Sequence, residues 1–390
     1  MPPAEVIPFQ ITVGPRGPTG YLVRAGSAGQ RTEATLNGDL WLDDPRVLGA
    51  RMGRWLFVPS IHRLLIAVAR QAEPRGARIQ LRLEIQPPEL ANLPWEYLAI
   101  GEAARWQPGL REDYTLVRAG ARSHRPIPPV LIGEPLRLLI AAARGAESAA
   151  EQLGRALLDP IRSGSLVVDR MLAATAEDLI AELQAEPRHF VHLLAPVEQL
   201  PRTTPRLRLG RQLTPTQLAG LLATVPELRL VTLSGAAADP LGEFAAALHE
   251  ADGRAVVSLG GAAPADVAVF SAALYQHLVL PDAVDVAVTA GRRALADTGG
   301  SWGLARLHLT LGGEELARTL EPPLAGIEPS TVRRLSPQRR SNGRFAVTGT
   351  RLGEPAQRPR RRSPRRLNPA VPALLLAAAV LVWLLIQLGS

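Results

Sequence analysis

From Glu134 onward the sequence switches repeatedly between short apolar runs and helical stretches, and this alternation constrains the fold more than any other feature. Residues 136–141 (LRLLIA), 190–195 (FVHLLA), 228–235 (LRLVTLSG) and 255–259 (AVVSL) are apolar runs of strand length. Near-continuous runs of that kind belong to strands buried on both faces, as in parallel sheets. Residues 165–168 read as a further short strand and 206–212 as a small β excursion. Helical patterns fill the intervals at 147–158, 175–183, 242–250, 266–278 and 284–296. Thr175 is placed to cap its helix, with Glu177 and Asp178 in the first turn, where carboxylates suit the helix dipole. Thr214-Pro215 opens another helix, with threonine at the cap and proline at the first helical position. Crossovers of this length predict four or five parallel strands between residues 136 and 260, covered on both faces.

Ahead of that region, residues 6–25 predict a hairpin with its turn between Gly14 and Gly20. Apolar spacing over 46–72 predicts one or two helices. Residues 78–86 (RIQLRLEIQ) alternate strictly, with Ile79, Leu81, Leu83 and Ile85 on one face and Arg and Glu on the other. That pattern predicts a half-buried strand, ended by Pro87 and Pro88. In the LANLPWEYL stretch, Pro94 fixes a turn, and Trp95 and Glu96 read as a packed corner with a capping carboxylate rather than a catalytic pair.

In an open α/β sheet, reacting groups gather just past the carboxyl ends of the strands. At the end of LRLVTLSG the chain places Ser234, Gly235 and the alanines 236–238. The chain has no Cys, which excludes a cysteine nucleophile, thiolate metal sites and disulfides. The seven His follow no metal-binding spacing, so neither a metal nor another cofactor is expected. Gly260 and Gly261 lack the spacing of a dinucleotide loop, no phosphate-binding loop motif occurs, and Asp239 and Asp266 have no evident metal-ligand companions, so nucleotide binding is disfavoured.

Net charge is +8 over 390 residues, and all basic residues are Arg, which reads as codon bias. Residues 331–367 hold twelve Arg against one Glu, more than the whole excess, so the rest is net acidic and carries no basic footprint for nucleic acid. The first ten residues have neither a basic nor an apolar region of the kind a secretory signal needs. Residues 326–369, rich in Pro, Ser and Arg, read as a disordered linker. Residues 370–388 (AVPALLLAAAVLVWLLIQL) are uncharged, and as a helix they would rise about 28 Å, close to the bilayer hydrocarbon thickness. Arg358, Arg360, Arg361, Arg362, Arg365 and Arg366 precede that span; they place the body of the protein on the cytoplasmic side and are candidates for contact with anionic lipid.

Taken in order, several of these stretches resemble the CHAT family, a branch of the caspase-like cysteine peptidases. RIQLRLEIQPPE followed by LANLPWEYL is similar to the family's leading block, and residues 136–141 to its first core strand. FVHLLAPVE looks like the strand ending in the family's His-Gly, and LRLVTLSGA like the strand ending in Ala-Cys. The resemblance continues through FAAALHEADGRAVVSLGG, Asp266, FSAALYQHL, GRRALAD and Trp302, covering about residues 45–312. It implies an α/β fold: a caspase-like, parallel-rich sheet flanked by helices, with an N-terminal α+β region and a single C-terminal transmembrane helix. The corresponding divisions are 1–130, 131–325, the linker 326–369 and the span 370–388.

Carried across residue by residue, the family's catalytic His falls on Pro196, the Gly after it on Val197, and its nucleophile on Ala236. A thiolate beside an imidazole is what that chemistry needs. The expectation is a catalytically inactive, tail-anchored module. It would act as a scaffold or regulator at the inner face of a bacterial membrane, binding lipid and an unidentified protein partner but no nucleic acid. The family's links to defence and cell death suggest that setting loosely. Trp95, Glu96 and Asp266 are expected as pocket or core positions. The alternative is a hydrolase in which Ser234 is the nucleophile and His192 its base. Against it, Ser234 lies two residues before the position of the family's nucleophile.

Overall fold

The computed structural model describes residues 5–38, 45–101, 106–122, 124–132, 135–199, 203–235, 238–280, 282–319 and 333–335. The N-terminal elements are β1 (Val6–Gly17), β2 (Gly20–Ser27), β3 (Gln30–Leu36), α1 (Pro45–Leu56), α2 (Pro59–Ala72), β4 (Arg78–Ile85), α3 (Pro88–Ala91), β5 (Tyr114–Arg118) and β6 (Val130–Ile132). The alternating region follows as β7 (Leu136–Ala142), α4 (Glu147–Ala156), α5 (Leu158–Arg162), β8 (Leu166–Met171), α6 (Ala176–Ala185) and β9 (Phe190–Leu194). Then come β10 (Val197–Glu198), β11 (Arg206–Leu209), β12 (Arg211–Leu213), α7 (Pro215–Leu222), β13 (Leu230–Gly235) and α8 (Ala238–Asp252). The series closes with β14 (Ala255–Gly260), α9 (Pro264–Leu278), α10 (Val284–Asp297), β15 (Ala305–His308), β16 (Ala317–Thr319) and β17 (Arg333–Leu335).

One large mixed sheet, with helices on its faces, organises the chain in the order β17-β8-β7-β9-β13-β14-β15-β5-β4-β1-β2-β3. It is mostly parallel; the antiparallel neighbours are β14–β15, β1–β2 and β2–β3. Two parallel sets therefore meet at β14 and β15, pointing opposite ways. The carboxyl ends of β7, β8, β9, β13 and β14 lie on one edge of the sheet, and those of β15, β5, β4 and β1 on the other. The expected α/β class is borne out, as are the hairpin over β1 and β2, the two helices over 45–72 and the five strands between 136 and 260.

Alternation decides which helix covers which face. Leu138, Ile140, Phe190, Leu194, Leu230 and Val257 face α4 and α9, whereas Leu139, Ala141, Val191, Leu193, Val231 and Leu233 face α6, α7 and α8. The start of α7 carries a full capping box: the Thr214 hydroxyl accepts from the Gln217 amide, and the Gln217 side chain accepts from the Thr214 amide. Strand β3, with the sequence QRTEATL, is an exposed edge, and its charged and β-branched residues suit that place.

The reading of residues 78–86 as a half-buried strand needs correction. Six of the eight residues of β4 are buried, including the polar ones Arg78, Gln80 and Arg82. The polar face lies under α10, whose Asp285 accepts from Arg78 Nη2 at 3.0 Å, Gln80 Nε2 at 2.9 Å and Thr115 Oγ1 at 2.7 Å. Alternation identified the two faces, but what covers the polar one is a carboxylate 207 residues away.

The join between the two halves of the sheet is also stitched by arginine. A single bridge, His308 to Arg118, pairs β15 with β5. Arg292 from α10 donates Nε to the Ala305 carbonyl at 2.9 Å and Nη1 to the Leu116 carbonyl at 3.1 Å, satisfying acceptors on both strands. Burial pushes its guanidinium down to about 10. Arg118 forks onto both Glu96 oxygens at 2.8 Å and donates further to the Leu93 and Ala91 carbonyls. A lysine has no such planar fork, so these arginines have a structural use beyond codon bias.

Among the described residues no helix is long and apolar enough to cross a membrane. The predicted span 370–388 and the arginines from Arg358 to Arg366 lie outside the described residues, as does Ala236.

Candidate functional site

At the carboxyl edge of β9 and β13 the strand ends are tied together by their backbones. The Ala195 amide donates to the Ser234 carbonyl at 3.2 Å, and the Gly261 amide to the Gly235 carbonyl at 2.9 Å. A Cβ on Gly235 would lie 2.7 Å from the Ala195 carbonyl oxygen, so glycine permits this approach. Pro196 sits half-buried at the junction of β9 and β10, where its carbonyl accepts from the Arg208 amide at 3.0 Å. Val197, the next residue, pairs with Leu207 in the small three-stranded sheet β10-β11-β12. These positions form backbone ladder and contribute no titratable group.

One layer down, a chain of four polar side chains runs through the core. His192 and Thr232 are register partners on adjacent parallel strands, and Ser234 lies two residues beyond Thr232, so all three point to the α9 side. His192 Nε2 and Ser234 Oγ are 2.8 Å apart. His192 Nδ1 lies 3.2 Å from the Tyr275 hydroxyl, which donates to Thr232 Oγ1 at 3.1 Å. With the tyrosine proton on Thr232, the consistent arrangement has Nδ1–H donating to Tyr275 and Nε2 accepting from Ser234.

That proton order matches a serine–histidine pair, but three features oppose catalysis. The exposures are 0% for His192, 2% for Ser234, 0% for Thr232 and 0% for Tyr275, with α9 lying over them. Burial pushes the imidazole down to about 3, so it resists taking a proton. The group behind it is a neutral phenol, its ionisation pushed well up by burial, where a working base would have a carboxylate to stabilise imidazolium.

The other nominated residues fall elsewhere. Trp95 is fully buried in a single helical turn, Trp95–Tyr97, and donates Nε1 to the Leu90 carbonyl at 2.8 Å. Glu96, also fully buried, is the partner of Arg118; burial pushes its carboxyl up, but Arg118 outweighs this and holds it below the usual carboxylate range. Both residues belong to the packed corner at the β15–β5 join. Asp266 is half-buried in the first turn of α9. The structure thus brings Ser234 and His192 together and leaves Trp95 and Glu96 in a separate cluster. Sequence reasoning missed Tyr275 and Thr232. A signal was present in Thr232 and Ser234, polar residues at alternate positions of an apolar strand, with His192 in the strand beside them.

At the opposite edge His249 meets His124 edge-on and His308 at a tilt, with ring centroids 6.1 and 6.0 Å apart. His249 Nδ1 is bound to the Arg254 carbonyl at 2.8 Å, and burial pushes both His249 and His308 below their ordinary range. Among the described residues no group of three His or acidic side chains is arranged to hold a metal ion. No protein-family model matches the sequence, and no curated protein matches it either.

Proposed function

We propose that this chain is a membrane-tethered binding or regulatory module, built on a caspase-like α/β domain and lacking a working hydrolytic centre. One observation carries the reading: the Ser–His pair at the strand ends is sealed beneath α9 and engaged by Tyr275 and Thr232. The absence of any Cys and the occupation of the two family positions by Pro196 and Ala236 support it from the sequence. Removing two catalytic side chains leaves a core of Leu, Val and Ala intact, so a domain of this kind keeps its shape for binding.

The tether is the apolar segment 370–388 with its preceding arginines, which sets the domain at the cytoplasmic face of a bacterial inner membrane. Confinement to a surface raises the effective concentration of any partner there. Alkaline extraction of membranes carrying the full chain tests this: the account expects retention in the pellet and loss of retention when residues 370–388 are deleted.

A second reading, hydrolysis by Ser234 with His192, is favoured by the 2.8 Å separation between them. It requires α9 to move aside, since neither group touches solvent. Covalent labelling of Ser234 by a fluorophosphonate would establish it.

A further inference from the structure

The helical layer formed by α1 and α2 buries one side against the sheet and leaves an unusual surface on the other. Leu48, Met52, Leu56, Ile61, Leu65 and Val68 pack with Phe9, Ile11, Leu81 and Leu83, so both helices cover the same sheet face. On α2 the outward stripe is Arg63, Ile66 and Arg70, spaced three and four residues apart. On α1 it is Val47 and Arg54, seven residues apart, with half-buried Arg51 between them. Val47 is 51% exposed and Ile66 39%. Residues 45–72 contain five Arg and no acidic residue; the nearest acids in sequence are Asp43 and Asp44, outside the described residues, and Glu73 at the end of α2. Arg63 donates to the Pro59 carbonyl of its own helix, and Arg54, Arg63 and Arg70 take part in no ion pair among the described residues.

Exposed arginines interleaved with exposed apolar side chains on one helical layer, without acids, are the chemistry of a surface that lies on anionic lipid. We infer that the outward face of α1 and α2 docks the folded domain flat onto an anionic bilayer, as a contact separate from the tail. The choice of a bilayer over another polyanion rests on the tethered reading and on Val47 and Ile66, which have no role against a phosphate backbone. On the sequence's expectation of a disordered linker over 326–369, a chain of that length would span about 36 Å, enough for a tethered domain to meet the bilayer that holds its tail. A single weak membrane signal gives reversible binding, and two together give stable attachment.

The test uses residues 1–338, which form one compact unit with its own core and lack the tail. Sedimentation with phosphatidylglycerol-containing vesicles is compared with phosphatidylcholine vesicles. We expect binding to the anionic vesicles only, weakened by added salt. The triple variant Arg54→Gln, Arg63→Gln, Arg70→Gln should lose roughly a hundredfold in affinity, at roughly fivefold per arginine. Val47→Ser with Ile66→Ser should also weaken binding, and an unchanged melting temperature establishes that each variant is folded. No binding to anionic vesicles, equal binding by the folded triple variant, or binding to a DNA duplex without binding to vesicles would overturn the inference. Alkaline extraction of the full chain judges the tail separately, so failure of the anchor and failure of this surface give different results.

Discussion

Acid should weaken this protein through His192, whose burial sets the direction and the order of magnitude of the effect. The ordinary histidine value is 6.5, and burial lowers His192 to about 3 in the folded state. Between those values the unfolded chain holds a proton that the folded one refuses. This contribution to stability is present above pH 6.5 and is lost as the pH falls toward 3. The loss is about 1.4 kcal/mol per pH unit for one such group, or roughly 2.5 kcal/mol on going from near pH 7 to near pH 4.5. That is a sizeable part of the roughly 5–15 kcal/mol that holds a typical domain together. Urea unfolding of residues 1–338 at several pH values measures it. Replacing His192 by Gln keeps a polar amide facing Ser234 but removes the titration. His249 and His308 are also lowered, yet they are common to both proteins and cancel in the difference. The variant should lose some stability at neutral pH and show a slope shallower by about one proton over this range. A variant whose profile runs parallel to the parent, or a His192 ring titrating near 6.5 by NMR, would refute the reasoning.

Three further outcomes follow from the packing. Asp285→Ala strips the partner from buried Arg78 and Gln80 and should cost about 3–5 kcal/mol by chemical denaturation, with Asp285→Asn costing less. Gly53→Ala adds a Cβ that would overlap the Ala99 carbonyl oxygen, and should lower stability by about 1–3 kcal/mol despite the better helix propensity of alanine. Gly220→Ala in α7, where an added Cβ meets nothing within 4 Å, should instead raise stability by about 0.5–1 kcal/mol.

The parallel strands were legible because burial on both faces leaves an apolar run in the sequence, as in LRLLIA and FVHLLA. The Thr175 and Thr214 caps were legible because capping is local chemistry. Edge strand β3 was not, since its inward positions are Thr32, Ala34 and Leu36, of which only the last is a large apolar residue, so the alternation is faint in the sequence. Burial of the polar face of β4 was also hidden: it depends on Asp285, which only the assembled sheet brings near. At the candidate site, Ser234 and His192 were nominated from strand position, and they meet in the structure. Their seal by Tyr275 was not legible, because a tyrosine in a largely apolar helix reads as ordinary core until the helix is laid across the sheet.

The most direct measurement exposes residues 1–338 to a serine-reactive fluorophosphonate probe and a peptide library, beside Ser234→Ala and His192→Ala variants of established fold. The account predicts no labelling and no turnover by any of the three. Labelling or cleavage by the parent that disappears in both variants would contradict it, making Ser234 a nucleophile and α9 a lid over a working site.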